Sequence, residues 1–183
     1  MRFTAVSYVF LVATGVVSSP VTAPTEPNEP HQPQEFVSLW EEQLPNGGAL
    51  EFLGPSPTDE TTTPTRSLNV PRKACSANPQ PSCDSSHAAN NDLCSQLVNG
   101  LYGSSRSPVA KSPRQVCYKQ DDSYCCTSWS SAVNGLTQGD LADNAQAILA
   151  QCAQNGVSGQ LRGVRLKGVC LDQCLSNRGT GCT

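Results

Sequence analysis

From Cys75 onward this chain offers little to do acid–base chemistry with. That stretch holds one histidine, His87, which in Cys83-Asp-Ser-Ser-His87 reads as a loop residue, and no glutamate, whereas proton transfer in an active site usually needs a histidine or a tuned carboxylate. Asp121 and Asp122 are adjacent carboxylates. A glycosidase sets two carboxylates on either side of a sugar bond; two in a row between apolar segments read as turn formers instead. No Gly-x-Ser-x-Gly elbow, no His-Glu-x-x-His and no glycine-rich phosphate loop occurs. No catalytic residue and no cofactor are therefore assigned. The expectation is a protein that binds and is not an enzyme.

The abundant reactive residue is cysteine. Ten occur, Cys75, Cys83, Cys94, Cys117, Cys125, Cys126, Cys152, Cys170, Cys174 and Cys182, and none precedes residue 75. An even number in an exported protein reads as a disulfide framework. The spacings Cys75-x7-Cys83 and Cys170-x3-Cys174 do not meet a second pair of zinc-finger type, so no metal is expected.

Export is read from the N-terminus. Met1-Arg2 precedes an apolar run from Phe3 to Val17, too short to span a bilayer as a helix but suited to a signal peptide over residues 1–18. Residues 19–73 follow with eight acidic and three basic residues and ten of the fourteen prolines. Such a Pro/Glu/Thr-rich segment buries too little apolar surface to order itself. It is expected to be a disordered linker or a pro-segment, removable at the dibasic pair Arg72-Lys73. Within it, Phe36, Val37, Leu39, Trp40 and Leu44 recur at helical spacing and suggest a short helix. Residues 74–183 then form the cysteine-rich domain. With eight basic and seven acidic residues from Cys75 on, it is nearly neutral, and a nucleic-acid partner is not expected. No second apolar run suggests a membrane span.

Within the domain, Asn91 can cap a helix whose apolar stripe is Leu93, Cys94, Leu97, Val98 and Leu101, with Gly100 and Gly103 as its stop. Arg114–Lys119 and Ser123–Ser130 read as strands joined at Gln120-Asp-Asp122. Neighbouring strand residues face opposite ways. Of Cys125 and Cys126, one should therefore staple the sheet to a helix and the other should tie the outer face to a loop. Thr137 and Asp140 open a second helix, Asn155-Gly156 closes it, and Gly159–Leu166 and Gly168–Cys174 make a last hairpin. The expected class is α+β: a small disulfide-stapled α/β sandwich, with two helices packed on an antiparallel sheet.

For binding, the candidates are Trp129, Tyr102, Tyr118 and Tyr124, of which Trp129 is expected in the core. A basic set, Arg106, Lys111, Arg114, Arg162, Arg165 and Lys167, is expected to be scattered rather than gathered on one face.

Three runs carry a resemblance: Ser112-Pro-Arg-Gln-Val-Cys117, Cys125-Cys-Thr-Ser-Trp-Ser130, and Cys170-x3-Cys-Leu-Ser-Asn-Arg-Gly-Thr-Gly-Cys182. Together they resemble the WD-like family of small secreted cysteine-rich fungal proteins over most of residues 90–182. The element order is also similar to fungal killer-toxin-like effector folds, a likeness of topology that implies a cysteine-stapled sandwich. The expected function is that of a secreted, extracellular effector or killer-toxin-like protein acting by binding on a host or cell-wall target. The alternative is a structural or carbohydrate-binding protein of the cell wall.

Overall fold

The computed structural model describes residues 36–56, 74–110 and 114–177. The signal peptide, the dibasic pair Arg72-Lys73, Lys111 and Cys182 lie outside them. The described residues all fall in one compact unit, Pro33–Thr183.

Among the described residues, seven strands and two α-helices follow one another: β1 (Phe36–Gln43), β2 (Ala49–Pro55), β3 (Ser82–Ala88), α1 (Asn91–Gly103), β4 (Gln115–Gln120), β5 (Ser123–Trp129), α2 (Gln138–Gln151), β6 (Val157–Leu166) and β7 (Val169–Ser176). The strands form one sheet in the order β1-β2-β4-β5-β7-β6-β3, and every neighbouring pair is antiparallel.

This corrects the expected fold class. The protein is sheet-dominated, not an α/β sandwich of two helices on a four-stranded sheet. Three strands account for the difference. β1 and β2 come from the segment expected to be a disordered linker, and β3 comes from a stretch read as loop.

The segment Phe36–Gln43 is a strand, not a helix. Its register with β2 shifts between Ser38 and Trp40. Such a bulge inserts one residue and breaks the alternation of faces. The apolar residues on either side of it therefore show a spacing that mimics a helical stripe. The hairpin closes at Leu44, whose N–H donates to Gly48 O (2.8 Å) and whose carbonyl accepts from Gly47 N (3.1 Å). Gly47, at φ 85°, supplies the left-handed backbone that this turn requires.

The two helices are close to expectation. Asn90, one residue earlier than Asn91, caps α1 by accepting from the N–H groups of Asp92 (3.0 Å) and Leu93 (3.1 Å). Gly100 does not stop the helix. It packs against Leu44 and Leu50, and α1 runs on to Gly103. At the start of α2, the Asp140 carboxylate accepts from Thr137 N–H and from its hydroxyl, both at 2.8 Å.

The helices touch each other and adjoining stretches of the sheet, α1 against β4 and β5, α2 against β6 and β7. The core lies between: Leu50, Phe52, Leu97, Leu101, Val116, Tyr118, Trp129, Leu141, Ile148, Leu171 and Leu175 are all buried. Gln115, Thr127, Gln138 and Gln173 are buried as well, and Gln173 ties a helix to the sheet. Gln173 Nε2 donates to Thr127 Oγ1 (3.0 Å) and Leu141 O (2.9 Å), and its Oε1 accepts from Asn144 Nδ2 (3.0 Å). A buried amide satisfied on both ends fixes the position of α2 on the sheet at no desolvation cost.

Four disulfides join described residues: Cys75–Cys170, Cys83–Cys152, Cys94–Cys125 and Cys117–Cys126. Cys174 is disulfide-bonded as well, and no described cysteine is free. Cys125 staples the sheet to α1. Cys126 does not reach a loop: it bonds Cys117, directly opposite it on β4.

Candidate functional site

The helices occupy one face of the sheet, and the chemistry-bearing side chains gather on the other. In the β3–β6 pairing, Ser82 lies opposite Gln160 and Asp84 opposite Ser158. Alternation then puts Arg162 on the same side as Gln160 and Ser158, and its Nε donates to Gln160 Oε1 (3.1 Å). Because β6 also pairs with β7, the wall continues to Cys174 and Ser176. The result is an open pocket of about 280 Å³ lined by Ser82, Asp84, His87, Ser158, Gln160 and Arg162, with β7 along one side.

His87, expected in a loop, sits in β3 next to the bulge between Asp84 and Ala88. Its Nε2 lies 3.8 Å from Asp84 Oδ2, with the two side chains 32% and 54% exposed. This is an ion pair only when the imidazole is protonated, and it is well solvated. Ser158 Oγ donates to the backbone carbonyl of Asp84 (3.4 Å), not to the imidazole.

A disulfide holds one of the pocket's walls: Cys83, in the middle of β3, is tied to Cys152 at the end of α2. Gly159 makes this bridge possible. A Cβ there would lie 2.6 Å from Cys152 Sγ, so only glycine lets β6 pass so close to the bridge.

The other candidates go elsewhere. Asp121 and Asp122 form the exposed β4–β5 turn, far along the sheet order from β3. Trp129 and Tyr118 are buried in the core, and among the described residues the exposed large aromatics are Trp40, Tyr102 and Tyr124. Trp40 was read in the sequence only as part of a helical stripe. It stacks on Phe52 with ring centroids 4.5 Å apart and is 36% exposed. Of the basic set, Arg162 lines the pocket, while Lys167 Nζ meets Asp140 Oδ1 (3.0 Å) at the start of α2. Among the described residues, no group of three or more His, Cys, Asp and Glu is arranged to hold a metal ion. No described helix is long and apolar enough to cross a membrane.

Two groups outside the pocket have perturbed acidities. Partial burial alone would raise the Asp140 carboxyl, but the hydrogen bonds from Thr137 and the Lys167 ammonium outweigh it and hold the group below its ordinary value. Burial, and then the hydrogen bond to Asp143 (2.9 Å), push the Tyr102 phenol up.

Compared with known proteins, residues 61–182 match a family model described as fungal WD-like. The match covers more than half of the chain, including both helices and strands β3 to β7. No curated protein and no solved structure matches.

Proposed function

The chain belongs to the fungal WD-like family, and we propose that it is exported and acts outside the fungal cell as an effector or killer-toxin-like protein, by binding rather than by catalysis. The disulfides support export, since such bridges form and persist in oxidising compartments. The observation that carries the binding reading is the pocket on the face away from the helices. Its β3 wall is stapled to the end of α2 by Cys83–Cys152. It is also poor in catalytic machinery, with one carboxylate, one histidine and three serines, of which Ser158 gives its hydroxyl to a backbone carbonyl. Nucleophilic catalysis needs a hydroxyl or thiol within reach of a base, and glycoside hydrolysis needs two carboxylates.

The test is saturable attachment of labelled, purified protein to intact target cells, with no soluble product released. Release of product that stops on His87→Ala would sink the binding reading.

The exposure of Trp40, Tyr102 and Tyr124 favours a second reading, a cell-wall structural or carbohydrate-binding protein, because aromatic faces stack on sugars. Retention on chitin or glucan that is lost when these three rings are removed, with no effect on target cells, would select it.

A further inference from the structure

We infer that Cys83 is a site of S-thiolation: a small external thiol enters the disulfide framework there, opens the Cys83–Cys152 bridge and frees strand β3, while the bridges of the core stay closed. This reactivity does not depend on which ligand the pocket takes.

The four bridges between described residues differ in how far an external thiol can reach them. Cys94–Cys125 and Cys117–Cys126 join buried residues. Cys75 and Cys170 are both half-buried. Cys83 is the one described cysteine that is exposed, and its partner Cys152 is 0% exposed. A disulfide opens when a thiolate attacks one of its two sulfurs, and access decides which sulfur that is. Cys152 is closed to solvent, so attack falls on Cys83.

The new bond joins the incoming sulfur to Cys83 Sγ, and the Cys83–Cys152 bond breaks. Its electron pair leaves with Cys152 Sγ, which takes a proton from solvent, because a bare thiolate is costly at a fully buried position. That cost makes the opening slow, on the minutes-to-hours scale of uncatalysed disulfide exchange. A second small thiol, attacking the external sulfur, leaves Cys83 reduced and carries away the small-molecule disulfide. Two electrons pass in all: two small thiols become one disulfide, and one protein disulfide becomes two thiols.

Strand β3 has little else to hold it. It ends the sheet order and, among the described strands, pairs only with β6. A bulge between Asp84 and Ala88 interrupts that ladder. None of its described side chains belongs to the apolar core. Gln151 Nε2 donates to Pro81 O (3.1 Å) and Ser158 Oγ to Asp84 O (3.4 Å), hydrogen bonds of modest net strength. Segments with few buried apolar contacts are the first to open in a native protein. With the bridge open, β3 parts from β6 and takes Ser82, Asp84 and His87 out of the pocket wall. Cys75–Cys170 still ties the chain ahead of β3 to the start of β7, so the strand returns when the bridge re-forms.

The experiment incubates the full-length, disulfide-intact protein with graded reduced glutathione under native conditions. Free thiols are trapped by alkylation and mapped by mass spectrometry, alongside backbone hydrogen exchange. The expected first product carries glutathione on Cys83 and an alkylated Cys152, with Cys75–Cys170, Cys94–Cys125 and Cys117–Cys126 intact. Exchange in β3 should rise at least about tenfold, the sign of lost local protection, while β4 and β5 stay protected. The double variant Cys83→Ala/Cys152→Ala should show the same β3 exchange without glutathione and form no early adduct. The wild-type map decides the question even if that variant does not fold. A first opening at any of the other three bridges would overturn the inference, as would glutathione on Cys152. So would all four bridges opening together, no adduct on the folded protein, or an adduct on Cys83 that leaves β3 exchange unchanged.

Discussion

Gly48 lies under the ring of Tyr118. A Cβ at Gly48 would sit 2.2 Å from the Tyr118 hydroxyl oxygen and within 2.4 Å of two ring carbons. Tyr118 is 2% exposed and stands on β4, in the middle of the cysteine-rich region, whereas Gly48 precedes β2, before the first cysteine. The contact works only if the β1–β2 hairpin is a seated part of the fold. Gly48→Ala should therefore destabilise the protein by about 1–3 kcal/mol, the usual cost of overpacking a filled core. Thermal unfolding checks this. An unchanged Tm would mean that the hairpin is not seated on β4.

The same seating bears on proteolysis at Arg72-Lys73. A cut there separates β2 from β3, and no disulfide can join the pieces because no cysteine precedes Cys75. The hairpin should nevertheless stay bound. Leu50 and Phe52 are 0% and 1% exposed, and each such side chain contributes about 1.5–3 kcal/mol when buried. Glu42 adds hydrogen bonds from Ser104 Oγ (3.1 Å) and Gln138 Nε2 (2.9 Å). Native mass spectrometry of protein cut at that pair should show one complex, and denaturing conditions should show two chains. A chain beginning at Ala74 should aggregate or unfold at lower temperature. If it matches the full chain in stability, the hairpin is dispensable.

These contacts mark where the amino-acid pattern could be read and where it could not. In α1 the stripe Leu93, Cys94, Leu97, Val98 and Leu101 is buried throughout, because a regular helix keeps its period. β4 and β5 were equally legible, through their β-branched and aromatic residues and a two-residue turn. β1 was misread because one extra residue at the bulge changes the phase of the pattern. β3, Ser-Cys-Asp-Ser-Ser-His-Ala, carries no apolar alternation at all. It is a strand only because it pairs with β6, and that is a tertiary cause. The pocket was hidden for the same reason. His87 was visible as a solitary histidine, but its neighbours Ser158, Gln160 and Arg162 lie about 70 residues away along the chain and arrive by strand pairing.

Cys125 and Cys126 allow two bridges to be compared at one place. Cys94–Cys125 closes a sequence separation of 31 and Cys117–Cys126 one of 9. All four cysteines are at least 97% buried, so replacing either pair by alanine leaves similar voids. Chain entropy then decides the ranking. Removing the longer loop should cost about 3.5 kcal/mol and removing the shorter about 2.5 kcal/mol. Urea unfolding of Cys94→Ala/Cys125→Ala and Cys117→Ala/Cys126→Ala measures both. Equal costs, or the reverse order, would show that the bridges act on the folded state rather than on the unfolded chain.

Asp140 predicts how the fold responds to acid. Its folded carboxyl is held below the ordinary value of 3.8 by Thr137 and Lys167, against the opposing effect of burial. A depressed carboxyl contributes stability that is fully present above its unfolded value and is lost as pH falls through the folded one. The contribution should therefore be intact at neutral pH and fade below about pH 4. Asp140→Asn should cost about 1 kcal/mol at pH 7, the scale of a helix cap, and the gap between wild type and variant should close as pH drops toward 2. Lys167→Met should remove only a smaller, salt-sensitive part, since the ammonium is 42% exposed and exposed ion pairs are screened. Chemical denaturation at a series of pH values reads all three. A gap that stays constant down to pH 2 would mean that the charge of Asp140 does not stabilise the start of α2.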